Sequence, residues 1–102
     1  MNEKQEKRNV PNGWRLSNNP MTGDELVYDY PNGDTITIRY WVNSGPMIAK
    51  YPFKISIVRE SRRYGQREMW HAENAVKKTW KRLVETADYV TQAWQLNAEA
   101  VH

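Results

Sequence analysis

Between Arg67 and Leu96 the apolar residues Met69, Ala72, Val76, Trp80, Leu83, Ala87, Val90 and Trp94 recur at gaps of three and four. At about 100° per residue these positions fall on one stripe of a helix. The spacing predicts one long amphipathic helix over 67–96, supplying half of a core. Asn97 occupies a plausible position just past its end. No strong N-cap residue precedes Glu68, so the start of the helix is not fixed by local chemistry.

A helix with one apolar stripe needs an apolar face to cover, and the preceding chain offers strands. Leu26, Tyr28 and Tyr30 alternate with Val27 and Asp29, and then comes Pro31-Asn32-Gly33-Asp34. Proline presets φ and Asn-Gly accepts positive φ, so this is a hairpin turn. The returning arm, Thr35 to Val42, places Ile36, Ile38 and Tyr40 on one side and Thr37, Arg39 and Trp41 on the other. A further strand starts after Pro52, with Phe53, Ile55 and Ile57 on one face and Lys54, Ser56 and Val58 on the other. Trp14 to Ser17 can add a short edge strand. Met47-Ile48-Ala49 is an apolar patch in a loop, either tucked under the sheet or forming a lip. The expected architecture is α+β: a three- or four-stranded antiparallel sheet with one long C-terminal helix packed on one face.

With 102 residues the chain is expected to form one domain over 14–97, with a flexible N-terminal tail at 1–13 and a C-terminal tail at 98–102. There is no cysteine, which excludes disulfides, thiolate metal sites and cysteine nucleophiles. Residues 1–13 hold no apolar signal-peptide segment, and no run is long enough to span a membrane. A cytoplasmic protein with no membrane partner is therefore the expectation. The two histidines, His71 and His102, and the scattered glycines form no metal-binding, phosphate-cradling or nucleophile motif. No enzyme activity, cofactor or metal is expected.

What remains is binding. The net charge is +3, and its basic residues are concentrated. Arg59, Arg62 and Arg63 precede the long helix, whose polar face begins with Arg67, His71, Lys77, Lys78 and Lys81. Basic charge at a helix start opposes the macrodipole, which suggests placement for a partner. This strand-to-helix corner would attract phosphates or an acidic protein surface. Trp70 lies at its shoulder. On the sheet face away from the helix, Arg39, Trp41 and Lys54 interleave a stacking ring with cations, as single-strand binders do. The leading expectation is a small regulatory module that binds nucleic acid. The alternative is a protein–protein inhibitor of the phage or mobile-element type, acting on a nucleic-acid-processing complex. Five Trp and six Tyr against one Phe would serve either role, or a homodimer interface.

Overall fold

The computed structural model describes residues 9–96. Its core is one antiparallel sheet in which sequence neighbours are spatial neighbours: β1 (Trp14–Asn19), β2 (Gly23–Asp29), β3 (Thr35–Val42), β4 (Phe53–Glu60) and β5 (Arg67–Ala75). A single turn of helix, α1 (Met47–Lys50), sits between β3 and β4, and α2 (Trp80–Ala93) follows β5. The α+β class is as expected. Among the described residues the sheet has five strands rather than three or four, and there are two helices rather than one.

The β2–β3 hairpin forms at the Pro-Asn-Gly-Asp signal. Gly33 has φ 95°, and its N–H donates to the Tyr30 carbonyl at 2.9 Å. The Asn32 side chain accepts from the Asp34 N–H at 2.9 Å. A Cβ at Gly33 would stand 2.7 Å from Cδ of the exposed Arg62 side chain, which can swing aside, so the positive φ is what favours glycine here.

Strand alternation then sorts the side chains. Leu26, Tyr28, Ile36, Ile38, Tyr40, Ile55 and Ile57 point to the helix side and are buried, together with Trp14. From α2, Leu83, Ala87 and Val90 complete the core, with Leu96 just beyond it. Each buried Leu, Ile or Val contributes about 1.5–3 kcal/mol relative to exposure. The helix lies across β2 and β3.

The helix is pinned by polar contacts that the sequence does not announce. The Tyr40 hydroxyl accepts from the Thr79 N–H and donates to the Thr79 carbonyl, each at 3.0 Å. Thr79 is the N-cap, yet its own side chain makes no capping bond. At the far end the Tyr28 hydroxyl donates to the Leu96 carbonyl at 3.1 Å. Between them, Trp14 Nε1 donates to Thr91 Oγ1 at 2.9 Å. The chain before β1 also joins the fold. Val10 packs on the core, and the Asn9 carbonyl accepts from Trp80 Nε1 at 2.6 Å.

The long helix expected over 67–96 is corrected by this arrangement. Residues Arg67–Ala75 form an edge strand, and α2 covers Trp80–Ala93. Met69, Ala72 and Val76, expected on a core stripe, are exposed. Leu96, which is not among the expected stripe residues, is fully buried. Asn97 and residues 98–102 lie outside the described residues, as do residues 1–8.

Candidate functional site

Because 67–75 is a strand, the strand-to-helix corner is in fact a strand-to-strand hairpin. The basic residues expected to form one patch separate into two groups at opposite ends of β5. Its eight inter-residue steps span roughly 26 Å. Arg59, Arg62, Arg63 and Arg67 lie at the end shared by the β2–β3 and β4–β5 turns. Lys77, Lys78 and Lys81 lie at the other end, where β5 passes into α2.

At the arginine end, internal contacts use part of the charge. Arg59 stands 3.8 Å from Asp34 and lies over the Tyr30 ring at 4.8 Å. The backbone N–H of Arg62, not its guanidinium, donates to the Asp34 carboxylate at 3.2 Å. Arg63 lies 5.6 Å from the centroid of the exposed Tyr64 ring. Arg62, Arg63 and Arg67 have no acidic ion-pair partner among the described residues.

The face of the sheet away from α2 gains from the correction. Register pairs Met69 with Val58, His71 with Ser56 and Trp41 with Lys54. Directly opposed residues share a face, so Arg67 and His71 join Arg39, Trp41 and Lys54 on this side. No helix among the described residues covers it. Ser56 and Val58 form a floor that longer neighbours shield completely.

Arg39 is not available to a partner. It is 8% exposed and faces Glu25, which is 6% exposed, at 2.8 Å from Nε to Oε2. Neither of these atoms has an aligned hydrogen bond, so the contact is ionic. Arg39 also lies 5.8 Å from the Trp41 centroid and braces that ring. Trp41 Nε1 and Ser56 Oγ are buried without a hydrogen-bond partner among the described residues. At the rim of the same face, Arg15 and Asp29 form an exposed pair at 2.7 Å. Its hydrogen bond holds the Asp29 carboxyl below the ordinary carboxylate value and raises the Arg15 guanidinium.

Trp70, expected at the shoulder of the basic cluster, lies on the helix side of β5. It is 41% exposed and packs edge-on against Trp94, with centroids 5.1 Å apart. These rings and Tyr89 line a groove of about 570 Å³ between β5 and α2. Its other end is ionic: Arg82 donates to both Glu73 and Glu85. The hydrogen bonds to Glu73 and then Glu85 raise the Arg82 pKa. Sequence reading missed this groove, since it exists only where an edge strand lies beside the helix. The signal for it in the sequence is Tyr89, an aromatic residue off the apolar stripe. No protein-family model, curated protein or solved structure matches the chain.

Proposed function

We propose that the protein is a small non-enzymatic binding module whose uncovered sheet face receives a single nucleic-acid strand. The observation behind this reading is the convergence of Trp41, Lys54, His71 and Arg67 on that face. Trp41 offers a stacking ring to bases, worth about 1–3 kcal/mol per base in such sites. Lys54 and Arg67 stand near opposite ends of the strip and suit successive phosphates. Arg62 and Arg63 extend the cationic track past the hairpin. Arg39 has a different role. Its charge is matched by Glu25, so it holds the ring rather than the ligand.

The test is a titration of short labelled single- and double-stranded oligonucleotides at low salt. Single strands should bind more tightly, with log affinity falling at about −0.7 per phosphate contacted as log salt rises. Trp41→Ala should weaken binding by about 1–3 kcal/mol. Lys54→Glu with Arg67→Glu should weaken it for all sequences alike. Absence of binding at low salt, or an unaltered affinity for Trp41→Ala, rejects the reading.

One observation favours a second reading, a protein partner. The groove beside β5 gathers Trp70, Trp94, Tyr89 and Arg82, residue types that dominate interface hot spots. A regulatory inhibitor would engage its target there. A protein retained by the immobilised chain after nuclease treatment, and lost with Tyr89→Ala, would favour this role.

A further inference from the structure

The lysine end of the sheet carries a surface that neither reading uses. Register and turns bring together the β1–β2 turn, α1 with its flanks, and the link from β5 to α2. Five large aliphatic side chains stand exposed there: Met21, Val42, Met47, Ile48 and Val76, from 40% for Met47 to 84% for Met21. Such exposure is ordinary for a single residue, but a cluster at one end calls for a partner. The α1 turn buries none of its residues, so Met47 and Ile48 have no role in the core.

Charge at this end is mainly positive. Lys50, Lys77, Lys78 and Lys81 lie at the same end as the aliphatic tips, and none has an ion-pair partner among the described residues. The chain has no Asp or Glu between Asp34 and Glu60, nor between Glu73 and Glu85. Asp24, the second residue of β2, is an acid that reaches this region and lines a hollow with Lys78. Lys50 and Lys78 rest near aromatic rings, at 5.4 Å from the Tyr51 centroid and 5.2 Å from the Phe53 centroid.

The platform is also built firmly. Asn43 is buried at the end of β3, and its amide donates to the Tyr51 carbonyl and to Asn74 Oδ1, each at 2.9 Å. Its N–H donates to the Pro52 carbonyl at 2.9 Å. These bonds tie both flanks of α1 to β5, so its apolar tip is presented on a stapled base.

We infer that this end docks onto an anionic membrane surface, with the aliphatic tips entering the headgroup boundary and the lysines above it contacting lipid phosphates and carboxylates. Three features favour lipid over other polyanions. Aliphatic tips gain nothing from stacking on bases, whereas hydrocarbon accepts them. Lysine is depleted at protein interfaces yet suits headgroups, because its stem lies along apolar matter while its ammonium stays wet. The positive charge matches the negative potential of an anionic leaflet, where each lysine contributes roughly a fivefold gain in binding. No helix among the described residues is long and apolar enough to cross a membrane, and the contact inferred here is peripheral.

The experiment is co-sedimentation of the full chain with vesicles of phosphatidylcholine alone and of phosphatidylcholine with 30% phosphatidylserine. The expected result is retention on the anionic vesicles, little on the neutral ones, and release at high salt. Lys77→Glu with Lys78→Glu should reduce retention at least ~20-fold. Ile48→Asp with Met47→Asp should reduce it as well, and both pairs lie outside the core. Neither pair should much affect oligonucleotide binding through Trp41, which separates this inference from the proposed function. Equal retention on both vesicle types, no retention at low salt, or retention unchanged by the Met47 and Ile48 substitutions would overturn it. Binding to polyglutamate without binding to vesicles would also overturn it, in favour of an acidic polypeptide.

Discussion

Two tyrosine hydroxyls tie the helix to the sheet, one at its start and one just past its end. Tyr40 serves both the N–H and the carbonyl of Thr79, and Tyr28 serves the carbonyl of Leu96. Removing either oxygen leaves backbone groups unpaired where water has little access. Tyr28→Phe and Tyr40→Phe should therefore each cost about 1–1.5 kcal/mol, read as a lower urea midpoint with unchanged slope. The pair has a parallel in Arg39, which a pattern of alternating residues places correctly on the far face but cannot show to be neutralised. That depends on Glu25, which pattern reading left unassigned and which becomes its neighbour only through the register of β2 against β3. Local sequence thus reveals which way a side chain points. It does not reveal which charge waits for it there.

The element that departed most from expectation is β5. Met69 and Ala72, with Val76 just after the strand, continue the spacing of the true helix, so the two merge into one apparent stripe. An edge strand with six exposed residues at its start has no buried face to impose alternation. A bulge adds to the difficulty: Ala72 has no opposite residue on β4, so alternation changes phase within the strand. The bulge also blunts the free edge against pairing with further strands. The two halves of the apparent stripe should respond differently to truncation. Leu83→Ala, deep in the core, should cost about 2–5 kcal/mol. Met69→Ala and Val76→Ala should each stay within about 0.5 kcal/mol. Equal losses in denaturant titration would contradict the strand.

At the scale of the molecule, one core serves the whole described chain, since β1, β2, β3, β4 and α2 all contribute to it. Unfolding should then be a single transition, with far-ultraviolet dichroism and tryptophan fluorescence changing together. A separate earlier fluorescence change would mean that Trp70 and Trp94 loosen before the core does. The same topology distributes the working surfaces. Hairpin turns at one end collect arginines, and those at the other collect lysines and aliphatic tips. Between them lie the Trp41 face on one side and the aromatic groove on the other. Residue order alone places Arg59 to Arg67 and Lys77 to Lys81 within one short stretch. An extended β5 separates them, and a helix would have kept them together. The sequence by itself determined the β2–β3 hairpin, the inward faces of β3 and β4 and the core stripe from Leu83 to Val90. In those segments the burial period is written in adjacent residues. The tertiary structure alone decided the conformation of 67–75 and the start of α2. The free edge of β4 supplies the hydrogen bonds that make 67–75 a strand, and Tyr40, far away in the chain, ties the start of the helix to the sheet.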